Sequence, residues 1–507
     1  MLPEVEGSSV NPRTTLIHCN GGGDYGMGHC MRALALAEEA IGRGWQVHIA
    51  GDLAPNAVDL LNGAIPTARV SRIALRGVEE ELLQLLEAES PDVVHLDTYW
   101  GTFDALFGRK WLLSNMQDGP FGVRDADVSV DANLGAEAAF VQPAAHLVHL
   151  AGSRAALTRR AVRRHHHEVR QLSASAPRAV TVVLGGTDPG GVTPLVVEAL
   201  SVVECDIELT VVSPSGDPAV VEAARRSPHA VRVVPFVEDL PGLAVAQDLV
   251  ISAAGTSVLD FASMGVPMAI VCVADNQVAG YKRAIAQGVA LPLGTPLADD
   301  LHESIRALGP LLQNAAELRR LSDLGRASVD GLGAWRVVSA WESVLQHRPA
   351  ELPLRDRWAS RRASLADARL LFEWKNDEET RRRSRSTEPV SWSPHLEWLT
   401  RTVESSERRL LIVEHEGQAV GTVRWDHIGP ARWEVSITVA PHARGKGIAR
   451  YILATAELSA NEWAPVTLVA VINEENFASL RLFASAGYLP DLPADEAGFR
   501  AFAKQLA

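Results

Sequence analysis

Gly21-Gly22-Gly23-Asp24-Tyr25-Gly26-Met27-Gly28-His29 is the stretch whose reading decides the fold. The apolar run before it, Thr15–Asn20, has the composition of a buried strand. Behind it, His29–Arg43 places apolar residues at helical spacing. A strand passing through a glycine-rich turn into a helix is the opening unit of a parallel α/β domain. Glycines there allow tight turns and let a ligand approach the backbone N–H groups of a helix start. Glycines alone also fit a turn that needs them only for sterics. His29 separates the two readings, because a neutral imidazole facing a cleft can take a proton from water, and nearby backbone amides favour its neutral form.

Working outward, Gln46–Ala50 and Val93–Asp97 read as further strands, and Val78–Ala88 as a helix. A polar stretch, His165 to Ala176, then interrupts the alternation. It restarts with the strand Ala179–Leu184 and the turn Gly185-Gly186-Thr187-Asp188-Pro189-Gly190-Gly191, followed by strands Ile207–Val212, Val231–Val234, Asp248–Ser252 and Met268–Cys272. The helical stretch Ala315–Gln346 closes this region. Two such halves predict two facing Rossmann-like domains, residues 13–164 and 177–346, each with a parallel sheet covered on both faces. His347 to Ser360, rich in proline and charge, reads as a linker to a third domain, residues 357–507, of different character. There the strands Arg409–Glu414, Gln418–Asp426 and Trp433–Val439 precede a long helix from Gly447.

The bulk numbers bound the function. A chain of 507 residues is too long for one core. The net charge of −14 argues against a nucleic-acid surface. Cys19, Cys30, Cys205 and Cys272 lack C-x-x-C spacing, which fits a reducing compartment and neither a zinc site nor a disulfide framework. No basic-then-apolar leader opens the sequence and no run of about 18 apolar residues occurs, so a cytoplasmic protein off the membrane is expected. His165-His166-His167 reads as a solvated linker and no metal is expected. The sequence carries no signal for oligomeric state.

In the third region Val439-Ala440-Pro441-His442-Ala443-Arg444-Gly445-Lys446-Gly447-Ile448-Ala449 fits R-x-x-G-x-A between a strand and a helix. Successive N–H groups unobstructed by side chains can wrap a pyrophosphate. Asn473-Glu474-Glu475-Asn476 follows the next apolar strand, Val466–Ile472, and the helix after it ends Phe483-Ala484-Ser485-Ala486-Gly487-Tyr488.

Gly26-Met27-Gly28-His29-Cys30-Met31-Arg32-Ala33-Leu34-Ala35-Leu36-Ala37 resembles the G-x-G-H-x-x-R-x-L-x-L-A signature of the UDP-2,4-diacetamido-2,4,6-trideoxy-β-L-altropyranose hydrolases of pseudaminic acid synthesis, proteins of glycosyltransferase-B type. Further matches follow in order: Asp97-Thr98-Tyr99, Gly152–Arg159, Gly185–Pro189, Ala253–Ser257 and Ala274–Gln277. The resemblance implies that His29 activates water for attack on the anomeric carbon, with UDP leaving and no metal required. It implies substrate contacts from Gly28, Asp97, Tyr99, Arg159, Gly186, Gly255, Thr256, Ser257, Asn276 and Gln277. Asp260 stands where the family usually carries Glu for the ribose hydroxyls. His18-Cys19-Asn20 replaces the common Arg-x-Asp, which implies an altered sugar pocket.

The third region resembles the GNAT acetyltransferases, through Arg444-Gly445-Lys446-Gly447-Ile448-Ala449 and Asn476 to Tyr488. Leu371–Asp377 with His395 and Trp398 is similar to the branch of ribosomal-protein and amino-sugar N-acetyltransferases. The resemblance implies acetyl-CoA as co-substrate, a backbone N–H near Val439 for the thioester carbonyl, and Arg444, Gly445, Gly447 and Ala449 at the pyrophosphate. Asn476 would contact the pantetheine arm, and Glu434 is the candidate base. Phe483 occupies the usual place of a tyrosine acid, which a phenyl ring cannot replace. Together the two resemblances imply N-acetylation and hydrolysis of one UDP-amino-sugar on one chain. A UDP-sugar-dependent glycosyltransferase, or a non-catalytic UDP-sugar platform with an active acetyltransferase, remain alternatives.

Overall fold

The computed structural model describes residues 12–506 except 74–77, 140, 144, 169–177, 186–187, 189, 214–215, 236, 238, 297–300, 350–356 and 383–386. Among the described residues three sheets form. The chain divides into two compact units, Met1–Val338 and Ser339–Ala507.

The first sheet consists of β1 (Thr14–Cys19), β2 (Gln46–Gly51), β3 (Arg69–Arg72), β4 (Val93–Asp97), β5 (Leu112–Gln117), β6 (Val128–Asp131) and β7 (Val148–Ala151). Its spatial order is β3-β2-β1-β4-β5-β6-β7, with every pair parallel. The second consists of β8 (Arg178–Val183), β9 (Ile207–Val212), β10 (Ala230–Val234), β11 (Leu249–Ala253), β12 (Met268–Val271) and β13 (Leu291–Pro292), in the order β10-β9-β8-β11-β12-β13 and again parallel. Both are doubly wound, and the strand order reverses between β1 and β4 and between β8 and β11. Ligands of such sheets bind beyond the carboxyl ends of the strands at that reversal.

Burial on both faces explains why these strands read as continuous apolar runs. In β11 and β12, Leu249, Ile251, Ala269 and Val271 join one core, while Val250, Met268 and Ile270 join the core on the opposite face. Period-two geometry sends alternate residues to opposite faces, and helices cover each. The expected helical stretch Ala315–Gln346 is two helices, Ala315–Ser328 and Gly333–Gln346. Gly331, at φ 74°, ends the run between them. The histidine triplet is also corrected: His165 contacts Glu168 through Nδ1 at 2.7 Å and His166 donates to the Ser263 carbonyl at 2.7 Å, so neither is a freely solvated linker residue.

The second unit carries a mixed sheet of β14 (Trp358–Arg362), β15 (Arg408–His415), β16 (Gln418–Gly429), β17 (Arg432–Val439), β18 (Val466–Asn473), β19 (Leu489–Pro490) and β20 (Phe499–Leu506), in the order β14-β15-β16-β17-β18-β20-β19. β16 and β17 pair along nearly their whole length. β17 and β18, by contrast, are parallel partners only at Arg432–Thr467, Trp433–Leu468 and Glu434–Val469. Beyond Glu434 the two strands part, and residues 435–439 have no strand partner on that side among the described residues. The helix expected from Gly447 begins at Ala449, because Gly447 at φ 69° cannot belong to a right-handed helix. Among the described residues no helix is long and apolar enough to cross a membrane.

Candidate active sites

The carboxyl ends of β1 and β4 bring the first site together. His29 is the second residue of the helix Gly28–Gly42, and Asp97 ends β4. His29 Nδ1 lies 2.7 Å from Asp97 Oδ1. Arg32, one helical turn after His29, donates from Nε to Asp97 Oδ2 at 2.8 Å and from Nη2 to Asp97 Oδ1 at 2.6 Å. Its Nη1 donates to both oxygens of Asp118, at 2.8 and 2.9 Å. Burial raises the Asp97 carboxyl, but Arg32 and His29 outweigh it and hold the group well below the ordinary carboxylate range. His29 Nδ1 also lies 2.8 Å from Arg32 Nη2, so it meets a carboxylate that only accepts and a guanidinium that only donates. His29 Nε2 has no hydrogen-bond partner among the described residues.

Asp97 is therefore behind His29: it is 1% exposed, and both its oxygens are engaged. That geometry suits orientation of the imidazole rather than the direct substrate contact the resemblance implies. Tyr99 packs edge-on against the His29 ring at 4.7 Å and donates its hydroxyl to Asp118. Burial and the Asp118 charge push that phenol well above its ordinary range. His18, Cys19 and Asn20 are all buried. Asn20 donates to Thr98 Oγ1 at 3.2 Å and accepts from the Asp52 N–H at 3.1 Å, joining the turns after three strands. Burial lowers His18 to about 4, so it stays neutral and donates through Nδ1 to the Ala50 carbonyl. The His-Cys-Asn triplet is thus packed beneath the turns that carry His29 and Asp97.

The second half of the same unit faces this site. A Cβ placed on Gly28 would lie 3.3 Å from Thr256 Oγ1, so the two glycine-bearing loops abut. Gly255, Thr256 and Ser257 sit between the end of β11 and the helix Ser257–Ser263. Gln277 accepts from the Val273 N–H at 3.1 Å, and its amide nitrogen would be 3.8 Å from a Cβ on Gly255. Asn276 is exposed beside it. Asp260 forms an ion pair with Arg159 at 3.6 Å; burial pushes its carboxyl up to about 6 even though Arg159 pulls the other way. Gly186 lies outside the described residues. Asp188 accepts from the Val192 and Thr193 N–H groups, capping the helix Val192–Ala199.

The acyl site is organised by the parting of β17 from β18. Glu434 stands at the last paired position and Val439 at the end of the open edge. Gly445 and Gly447 both have positive φ, and a Cβ on either would meet nothing within 4 Å. Ala449 is the first residue of the helix Ala449–Ala460. Arg444 does not join the open loop: its guanidinium pairs with Asp377 at 2.6 Å and donates to Thr380 Oγ1. Its side chain thereby tethers the loop to the segment around residues 377–380. Asn476 caps the helix Phe477–Ser485 by accepting from the Ser479 N–H at 3.2 Å, which leaves its amide N–H groups for other partners. Phe483 is buried, edge-on to Tyr488 at 4.9 Å.

Sequence reading names neither Arg32 nor Asp118 as a site residue. Arg32 had a signal, since it stands three residues after His29 and so on the same helix face. Asp118 had none, because its role comes from β5 lying beside β4.

Residues 359–489 match the family model of the acetyltransferase (GNAT) domain. The chain is similar to UDP-N-acetylglucosamine–N-acetylmuramyl-(pentapeptide) pyrophosphoryl-undecaprenol N-acetylglucosamine transferase of Halorhodospira halophila, with 35% identity over 113 residues, 21% of this chain and 30% of that protein. It therefore spans about 30% of the length of the curated relative it matches. Among solved structures, MurG of Acinetobacter baumannii is similar at 18% identity and a TM-score of 0.46, covering 65% of this chain and 99% of that one. Spermidine N-acetyltransferase from Vibrio cholerae, in complex with CoA and spermine, is similar at 17% identity and a TM-score of 0.27, covering 29% of this chain and 94% of that one. Residues 359–489 are thus a GNAT acetyltransferase domain, preceded in the chain by two Rossmann-like domains.

Proposed function

We propose that the first unit hydrolyses a UDP-sugar to free sugar and UDP, and that the GNAT domain transfers an acetyl group from acetyl-CoA to the amine of a UDP-amino-sugar, as in pseudaminic acid biosynthesis. The observation that carries the hydrolytic reading is the Asp97–His29 pair at the strand reversal, with Nε2 unengaged and the Gly255–Thr256 loop opposite. In this reading a water donates its proton to His29 Nε2 as its oxygen bonds to the anomeric carbon. The bond from that carbon to the diphosphate oxygen breaks, and its electron pair leaves with UDP. Asp97 stabilises the imidazolium that forms. Gly255, Thr256 and Ser257 offer donors to the diphosphate, and Asp260 accepts from the ribose hydroxyls.

The GNAT loop fits a pyrophosphate because Gly445 and Gly447 leave their surroundings open. Bound there, acetyl-CoA supplies an acyl carbon already activated as a thioester. The unpaired edge of β17 near Val439 presents a backbone N–H as oxyanion donor. Glu434, at the apex of the opening, takes a proton from the substrate ammonium, directly or through a water, and the freed amine bonds to the acyl carbon as the carbon–sulfur bond breaks and its electron pair leaves with the thiolate. Phe483 offers no acid, so the thiolate leaves without help from that position.

The test is incubation with a UDP-4-amino-sugar and acetyl-CoA, following both products by mass. UDP release without any acceptor supports hydrolysis. Release only with an acceptor replaces it with glycosyl transfer, and acetylation without release leaves the first unit a binding platform.

A further inference from the structure

β16 and β17 divide their residues between two faces. Val423, Trp425 and Val435 enter the buried core, while the register sets Asp426 opposite Glu434, Arg424 opposite Ser436 and Thr422 opposite Thr438 on the other face. This polar face runs along the opened edge, from Glu434 toward Val439. Arg424 reaches Asp426 Oδ2 from Nε at 2.9 Å and from Nη2 at 2.8 Å, and Arg408 lies 3.4 Å from the other oxygen. Arg424 Nη1 has no hydrogen-bond partner among the described residues. Lys375, in the last turn of the helix Ala368–Asn376, is half-buried, and among the described residues its ammonium has no hydrogen-bond or ion-pair partner. Burial disfavours its charge, and nearby Arg424 disfavours it further. Two residues on, Asp377 holds Arg444 of the glycine loop at 2.6 Å, which fixes this helix end beside the acyl site.

A lysine that loses water ordinarily gains a carboxylate. Lys375 meets a second cation instead, and a bound anion would relieve that repulsion. Among the described residues Asp426 alone pairs with Arg408 and Arg424, in a chain whose net charge is −14. Glu434 and Arg424 are diagonal neighbours across the strand pair, about 7–8 Å apart, a span comparable to one sugar ring. We infer that Lys375 and Arg424 form the anion subsite of the acyl acceptor, holding a phosphate of that molecule while its amine lies at Glu434. This rests on the amino-sugar reading of the GNAT domain, in which the anion is the diphosphate of the nucleotide. The same two cations repel a polyamine, which brings positive charge at both ends.

The experiment measures initial rates of CoA release by the full chain with three amines: a UDP-4-amino-sugar, the free 4-amino-sugar and spermine. Wild type, Lys375→Met, Lys375→Arg and Arg424→Gln are compared, with acetyl-CoA affinity followed by calorimetry. The wild type should have its lowest KM for the nucleotide-sugar. Lys375→Met keeps an apolar stem and removes the charge, so it should raise that KM about tenfold and narrow the gap to the free sugar by the same factor. Arg424→Gln should act in the same direction, and Lys375→Arg should keep most of the preference. A Lys375→Met variant whose nucleotide-sugar KM is unchanged, or whose KM values for both sugars rise alike, overturns the subsite. So does a wild type that takes the free sugar as readily as the nucleotide-sugar. A wild type that acetylates neither sugar, with or without acetylation of spermine, overturns the amino-sugar reading itself and the subsite with it.

Discussion

Arg32 cannot give up its proton under any ordinary condition, and it spends that fixed charge on Asp97 and Asp118 at once. The consequence falls on His29, whose Nδ1 meets a carboxylate that is itself kept ionised. Replacing His29 by Ala should lower UDP release about 10²-fold or more while leaving UDP affinity and acetylation intact, since the loss is of a base and not of a contact to the nucleotide. Asp97→Asn should cost about as much, because an amide can donate to Nδ1 and move the ring proton onto Nε2. Steady-state release of UDP checks both, and near wild-type rates in either would remove the pair from the mechanism. Asp260 makes a different prediction. Burial, opposed by Arg159, sets its carboxyl at about 6. If it accepts from the ribose hydroxyls in its charged form, UDP affinity should rise as pH increases from 5 to 7 and then level. Asp260→Asn should flatten that rise. An unchanged slope in the variant would separate Asp260 from nucleotide binding.

At the scale of elements, the parting of β17 and β18 and the loop that follows are one construction. The strands lose contact after Glu434, and the glycines at 445 and 447 turn the chain into the next helix without side chains in the way. Gly447→Glu should therefore act twice. A side chain strains a backbone at φ 69°, and its charge repels a pyrophosphate. Acetyl-CoA affinity should fall about thirtyfold or more, taking each effect at about 1–2 kcal/mol. Calorimetry on the variant measures this, and UDP release from a pre-acetylated substrate should be spared. Much of this element was legible, since R-x-x-G-x-A between strand and helix is a local pattern. The helix start was misplaced by two residues, because a glycine extends an apolar pattern as easily as it ends one. Arg444 belongs to the same motif, but what its side chain pairs with was not legible there. Its partners, Asp377 and Thr380, come from a distant segment, and nothing in the motif points to them.

For the whole molecule, the independence of the GNAT part is a matter of where its core residues come from. The buried cluster runs from Ala363 to Phe502, and the partly buried residues against it begin at Trp358. Among the described residues, none before that point belongs to it. A fragment beginning at residue 357 should thus fold alone, unfold in one cooperative transition and bind acetyl-CoA. An insoluble fragment, or one without a cooperative transition, would show that the helix Gly333–Gln346 or the residues after it are required. The proposed linker centre, residues 352–357, falls almost entirely outside the described residues, so limited proteolysis is the direct probe of it.

The sequence by itself determined two parallel α/β halves, the glycine turns and the position of His29 at a helix start. Each of these is written in residues near one another: apolar runs of strand length, helical periodicity, and glycines where side chains would obstruct. Tertiary structure alone decided that Asp97 stands behind His29, that Arg32 joins two carboxylates, that Thr256 meets Gly28, and that Trp100 and Phe121 flank Tyr99. In each case except Trp100 the partners lie apart in the chain; the first-sheet groups meet because parallel strands bring their carboxyl ends to one edge, and Thr256 reaches Gly28 from the second sheet. Local pattern sets which elements form, and packing of those elements sets which side chains share a proton, a charge or a ligand.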